Sequence, residues 1–176
     1  MSQLFKKKGV SLVELLMAVL LVAVIALPTF ALYTASTVFY LAAREQITTC
    51  NELQYALMHI YKYVMQGIGD TSSAAIEVPD SETLVVYLDT NSPTALTPAT
   101  YGAAYRDTYT YTKTGTTLEF NDGATTESLI PKVTVTDVTF ALDGNRMTVS
   151  LTGYYKDSNE PMTFYSSCYP RLASFQ

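Results

Sequence analysis

Residues 6–33 read KKKGVSLVELLMAVLLVAVIALPTFALY, three lysines and a glycine followed by an apolar run, and the fold turns on how that run is read. No charged side chain lies between Glu14 and Arg44. Leu15 to Leu27 is uninterrupted hydrophobe, extended by Phe30, Ala31, Leu32 and Tyr33. A spanning helix takes roughly 20 mostly apolar residues, and Leu12 to Tyr33 supplies that length with Pro28 and Thr29 inside it. Pro28 removes one backbone hydrogen bond and should kink the helix, which is tolerated in a bilayer where neighbours re-satisfy the freed carbonyl. Lysines in a short flank stay cytoplasmic, so Lys6, Lys7 and Lys8 predict a single pass with the N-terminus inside and the C-terminal domain outside. An ordinary secretory signal, with Ala23 and Ala26 near its cleavage site, is the competing reading.

Glu14 stands one turn inside the apolar run. A carboxylate at bilayer depth costs roughly 2.5 to 3.5 kcal/mol on insertion scales, so it marks a function or a partner unless it reaches the headgroups. The residues Lys6-Lys7-Lys8-Gly9 followed by Val10-Ser11-Leu12-Val13-Glu14-Leu15-Leu16 resemble the leader and first mature residues of type IV pilins and of type II secretion pseudopilins, over residues 5–33. The resemblance implies cleavage by a prepilin peptidase between Gly9 and Val10 and methylation of the new amine on Val10. It implies that Glu14, the fifth mature residue, neutralises the terminal amine of a neighbouring subunit during assembly. Paired charges in a low dielectric attract far more strongly than in water. The partners implied are other pilins or pseudopilins, the prepilin peptidase, the pilus or secretion assembly platform, and membrane lipid before assembly. The destination implied is an extracellular or periplasmic filament. Two departures stand out. Val10 occupies a place usually held by phenylalanine, and Pro28 lies three positions before the family's common helix proline, which looks more like minor pilins and pseudopilins. The residues Leu57 to Ile68 and Leu84 to Tyr87 look like J-type pseudopilins or W-type minor pilins.

Downstream, Ala35 to Met65 contains no proline or glycine and many good helix formers. Cys50, Leu53, Leu57, Ile60 or Tyr61, and Val64 recur at spacings of three and four, which predicts one apolar stripe. That stripe has to bury, either against the rest of the chain or in a coiled-coil seam. Gly67 and Gly69 are expected to end the helix through the left-handed conformation glycine accepts. Continuous from Leu12 to Met65, the helix would be roughly 80 Å long.

After Gly69 the chain turns to threonine, valine and tyrosine with turn punctuation. Thr83 to Leu88, Tyr105 to Thr112, Thr116 to Phe120, Lys132 to Leu142, Arg146 to Tyr155 and Met162 to Cys168 read as strands. Asn121-Asp122-Gly123 reads as a turn, and Asp143-Gly144 marks a hairpin. Val133, Val135, Val138, Phe140 and Leu142 form an inward set whose phase slips near Asp137, the sign of a bulge. Thr90 to Thr100, with Pro93 and Pro98, reads as a loop. The fold class is therefore α+β: a long N-terminal helix, membrane-spanning in its first half, packed through its second half on an antiparallel sheet. The divisions expected are 1–9 leader, 10–33 membrane and assembly helix, 34–67 amphipathic helix, and 68–176 β-rich domain.

The 11 basic and 16 acidic side chains give a net charge of -5, which disfavours a phosphate-backbone partner. Removing residues 1–9 takes away three lysines and moves the charge from -5 to -8. The chain has two cysteines, Cys50 and Cys168, both on the outer side of the membrane, and an oxidising compartment predicts that they pair, with two buried free thiols as the alternative. The one histidine, His59, reads as a helix-surface residue. No HExxH, CxxC, GxSxG or phosphate loop occurs, so no metal, cofactor or catalytic set is expected. Asp89 with Asn91, and Asp143 with Asn145, are fragments of calcium-loop spacing only. Of the 14 tyrosines, Tyr101, Tyr105, Tyr109, Tyr111, Tyr154, Tyr155, Tyr165 and Tyr169 are among those in the sheet region and read as strand formers or as a contact surface. The functional expectation is a structural filament subunit, against a membrane-anchored extracellular β-domain acting as a binding module.

Overall fold

The computed structural model describes residues 11–67, 69, 74–89, 106–144, 146–155, 158 and 160–170. One helix, α1 (Leu12–Gln66, 55 residues), is followed by eight strands. The chain divides into two compact units, Met1–Ala43 and Arg44–Gln176.

In the first unit α1 is apolar on every side and exposed on every side. Threonine hydroxyls inside it bond to their own helix: Thr29 Oγ1 donates to Ile25 O at 2.7 Å and Thr34 Oγ1 to Ala31 O at 2.9 Å. Such back-bonding leaves no polar hydrogen to solvate in hydrocarbon. Pro28 lies within the helix, which continues through it.

In the second unit α1 buries Leu53, Ala56, Leu57, Ile60 and Val64, so the apolar stripe packs on strands of the same chain. Cys50 is only half-buried and Tyr61 is exposed, which makes Ile60 the stripe residue at that turn. Gly67 ends the helix differently from expectation: it is not among the positive-φ glycines. A Cβ there would lie 3.1 Å from Val64 O and 3.4 Å from Ala75 O, so close backbone approach is what requires glycine.

The strands form two antiparallel sheets rather than one. β1 (Ile76–Asp80), β2 (Thr83–Asp89), β3 (Arg106–Thr114), β4 (Thr117–Asn121) and β5 (Thr126–Ser128) pair in chain order. β6 (Val133–Asp143), β7 (Arg146–Tyr155) and β8 (Met162–Cys168) make the second sheet. Among the described residues, two backbone hydrogen bonds tie the sheets together: Phe140 N–H donates to Ser81 O at 2.8 Å and Val135 N–H to Thr116 O at 2.9 Å. The six strands read from sequence are present with ends shifted by at most two residues, whereas β1 and β5 are additional.

The bulge falls where the phase slip predicts it. Val135 pairs with Gly153 and Asp137 with Thr152, leaving Thr136 as the extra residue. Val133, Val135, Val138 and Phe140 face the core as expected, but Leu142, one residue from the β6 end, is 44% exposed. The Asp143-Gly144 hairpin joins β6 to β7, with Gly144 at φ +58°. The loop read over Thr90 to Thr100 lies outside the described residues.

Candidate functional site

At its N-terminus α1 opens on a reciprocal cap. Ser11 N–H donates to Glu14 Oε2 at 3.0 Å, and Glu14 N–H donates to Ser11 Oγ at 3.2 Å. Leu15 N–H donates to Ser11 O at 3.1 Å, the first helical bond. This is a capping box, Ser-x-x-Glu ahead of an apolar run, which satisfies two orphan amides at once. The signal for it, serine followed three residues later by glutamate, is complete in the sequence at Ser11 and Glu14. A carboxylate here is also favoured by the positive end of the helix dipole. Gly9, Val10 and the three lysines lie outside the described residues.

The apolar residues that follow are strongly exposed, from Leu12 at 79% through Leu27 at 73%. The helix is long and apolar enough to cross a membrane, with none of its apolar window buried by the rest of the chain. A continuous apolar surface of this kind marks a membrane or interaction face rather than one turned to water.

Residues 4–30 match a family model with the same content. That model describes the prokaryotic N-terminal methylation motif. That bears out the resemblance to type IV pilins and pseudopilins, and with the apolar helix it supports a membrane-anchored, pilin-type precursor. Comparison with curated proteins finds no match, and neither does comparison with solved structures.

Beyond the motif, the remaining candidates resolve as follows. Cys50 and Cys168 are free thiols, so the expected disulfide is not formed in this structure. Cys168 is buried at the end of β8, and burial pushes its thiol up to about 11. Little of it would be the thiolate that attacks a partner sulfur at neutral pH.

His59 is not a surface residue. It is half-buried, with Nδ1 3.0 Å from the hydroxyl of Tyr111, a fully buried ring on β3. The rings of Tyr55, Tyr63, Tyr111 and Phe120 surround it at centroid distances of 4.8 to 5.9 Å. Desolvation, then the Lys62 charge, hold the imidazole below its ordinary value against a smaller opposing pull from Glu127. Burial raises Tyr111 far above the ordinary phenol value. Helical spacing did hint at this, since His59 adjoins buried Ile60, but no pattern in the sequence identifies Tyr111 as its partner.

Of the calcium fragments, Asp143 is paired with Arg146 Nη2 at 3.1 Å, while Asn91, Asn145 and the Asp89 side chain lie outside the described residues. Among the described residues no cluster of three His, Cys, Asp or Glu side chains could hold a metal ion.

Proposed function

We propose that this chain is a minor pilin or pseudopilin, a structural subunit of a type IV pilus or a type II secretion-like filament. The observation carrying the reading is the methylation motif over residues 4–30 running directly into a 55-residue helix whose later turns are the core of a β-rich domain. A prepilin peptidase cuts between Gly9 and Val10 on the cytoplasmic face, and the Val10 amine is methylated. Lys6, Lys7 and Lys8 hold the precursor with its N-terminus inside until they leave with the leader. The apolar turns then exchange lipid for the helices of other subunits.

Glu14 meets the incoming amine. The cap supports this role, because Ser11 occupies Glu14 Oε2 while Oε1 accepts no hydrogen bond among the described residues. A carboxylate at the first turn is favoured by the positive end of the helix dipole, and its second oxygen is left to meet a cation. The paired state offsets the cost of keeping either charge in hydrocarbon.

Intact mass of the protein extracted from membranes with an active prepilin peptidase should show loss of residues 1–9. Glu14→Gln should still reach the membrane and be cleaved, yet be absent from filaments. Normal incorporation of Glu14→Gln, or an uncut leader, would sink the reading.

A further inference from the structure

The face of the β6–β7–β8 sheet turned away from the core carries an ordered grid. Cross-strand pairing places Asp137, Thr152 and Thr163 in one row, Thr139, Ser150 and Tyr165 in the next, and Ala141, Thr148 and Ser167 in a third. The alternate residues, among them Val138, Phe140, Val149 and Leu151, are buried beneath it. Tyr165 is 78% exposed at the head of the middle row. A shallow cavity of about 390 Å³ opens on the grid, lined by Thr139, Thr148, Ser150, Tyr165 and Ser167.

The chemistry of this face narrows its occupant. Thr152 and Thr163 hydroxyls bond each other at 2.9 Å, and Thr148 Oγ1 donates to Ala141 O at 3.3 Å. The Ser150, Tyr165 and Ser167 hydroxyls make no protein hydrogen bond among the described residues, so donors and acceptors are available around one bare ring. The three rows contain one carboxylate, Asp137, and no lysine or arginine; Arg146, beyond them, is held by Asp143. An anionic ligand is therefore repelled. A protein hot spot would combine aromatic or arginine anchors with a drained apolar pocket, and here the ring sits among hydroxyls instead. A pyranose ring has the complementary make-up: C–H bonds on a face that meets the electron-rich face of an aromatic ring, and neutral hydroxyls around its rim. Just past the end of β8, Tyr169 is a second exposed ring at 60%, about 13 Å further on at the rise of an extended chain. Such a separation suits a linear chain of sugars better than a single one.

We propose that the outer face of the β6–β7–β8 sheet binds a neutral polysaccharide, with Tyr165 stacking on a sugar ring and Ser150 and Ser167 bonding its hydroxyls.

The test uses the full chain in lipid nanodiscs prepared without sugar-based detergent, presented to insoluble cellulose, chitin and xylan, with cellohexaose and chitohexaose followed by saturation-transfer NMR. The expected result is retention on at least one polymer. Tyr165→Ala should weaken it about tenfold, the loss of one stacking contact, whereas Tyr165→Phe should stay within about twofold. Tyr61→Ala, which removes an exposed ring from α1, should leave retention unchanged. No retention of the unmodified chain on any of the three polymers overturns the proposal. So does an equal effect of Tyr165→Ala and Tyr61→Ala, which would mean nonspecific adhesion. Because the measurement uses unassembled protein, its failure leaves the subunit reading untouched.

Discussion

A neutral imidazole suits the site of His59. Its partners are the Tyr111 hydroxyl on β3 and the rings of Tyr55 and Tyr63 on α1 and Phe120 on β4, with Tyr109 behind them, stacked on Phe120 and tilted against Tyr63. The charges facing it are Lys62 on its own helix and Glu127 on β5. Its folded pKa lies below the ordinary value of about 6.5, so the unfolded chain binds the proton more readily. The stability this site contributes is complete above about pH 6.5 and is lost as pH falls through the lower folded value. The urea midpoint should therefore drop between pH 7.5 and 5.5, and His59→Gln should flatten that drop; an equal drop in the variant would show that other groups cause it. At the same scale, Ser11 and Glu14 form a device whose sequence signal is complete within four residues, since a cap needs only local geometry. His59 is the opposite case: the Tyr111 hydroxyl and the Phe120 ring that bury it come from more than fifty positions away.

Among the elements, β7 meets the helix where it has no side chain. A Cβ on Gly153 would stand 2.8 Å from Val133 Cγ1, 3.0 Å from Thr134 O and 3.4 Å from Leu53 Cδ2. The neighbouring carbonyl is backbone and cannot rotate aside. Gly153→Ala should cost about 1 to 3 kcal/mol, the range for overpacking a core, read as a lower denaturation midpoint. Gly144→Ala, at φ +58° with open space around it, should cost about 1 kcal/mol from backbone strain alone. If Gly153→Ala proves the milder of the two, the helix does not pack on β7 as closely as described. Strands β6 to β8 were legible because alternation and a glycine turn mark them. β1 was not, since Pro79 interrupts a five-residue segment, and β5, Thr-Glu-Ser, is wholly exposed and has no apolar residue to betray it.

For the globular unit as a whole, α1 residues Leu53, Ile60 and Val64 share one buried cluster with inward residues of both sheets, including Leu84, Leu118, Val135 and Leu151. Ile60→Ala should cost about 2 to 5 kcal/mol and lower the unfolding midpoint equally by far-ultraviolet circular dichroism and by tyrosine fluorescence. Separate transitions would mean that the sheets unfold independently of each other. What the amino-acid order determined by itself is everything local or periodic: the lysine-flanked apolar run, the capped start of the helix, its buried stripe, the β6–β7 hairpin and the bulge at Thr136. Each of these depends on neighbours within a few residues or on a repeat of two or 3.6. What only the tertiary structure decided is the division into five- and three-stranded sheets, the burial of His59 against Tyr111, and the hydroxyl grid around Tyr165. Alternation tells which side of a strand is apolar. Which strand lies beside it is set by closing long loops around a common core, and no local pattern encodes that choice.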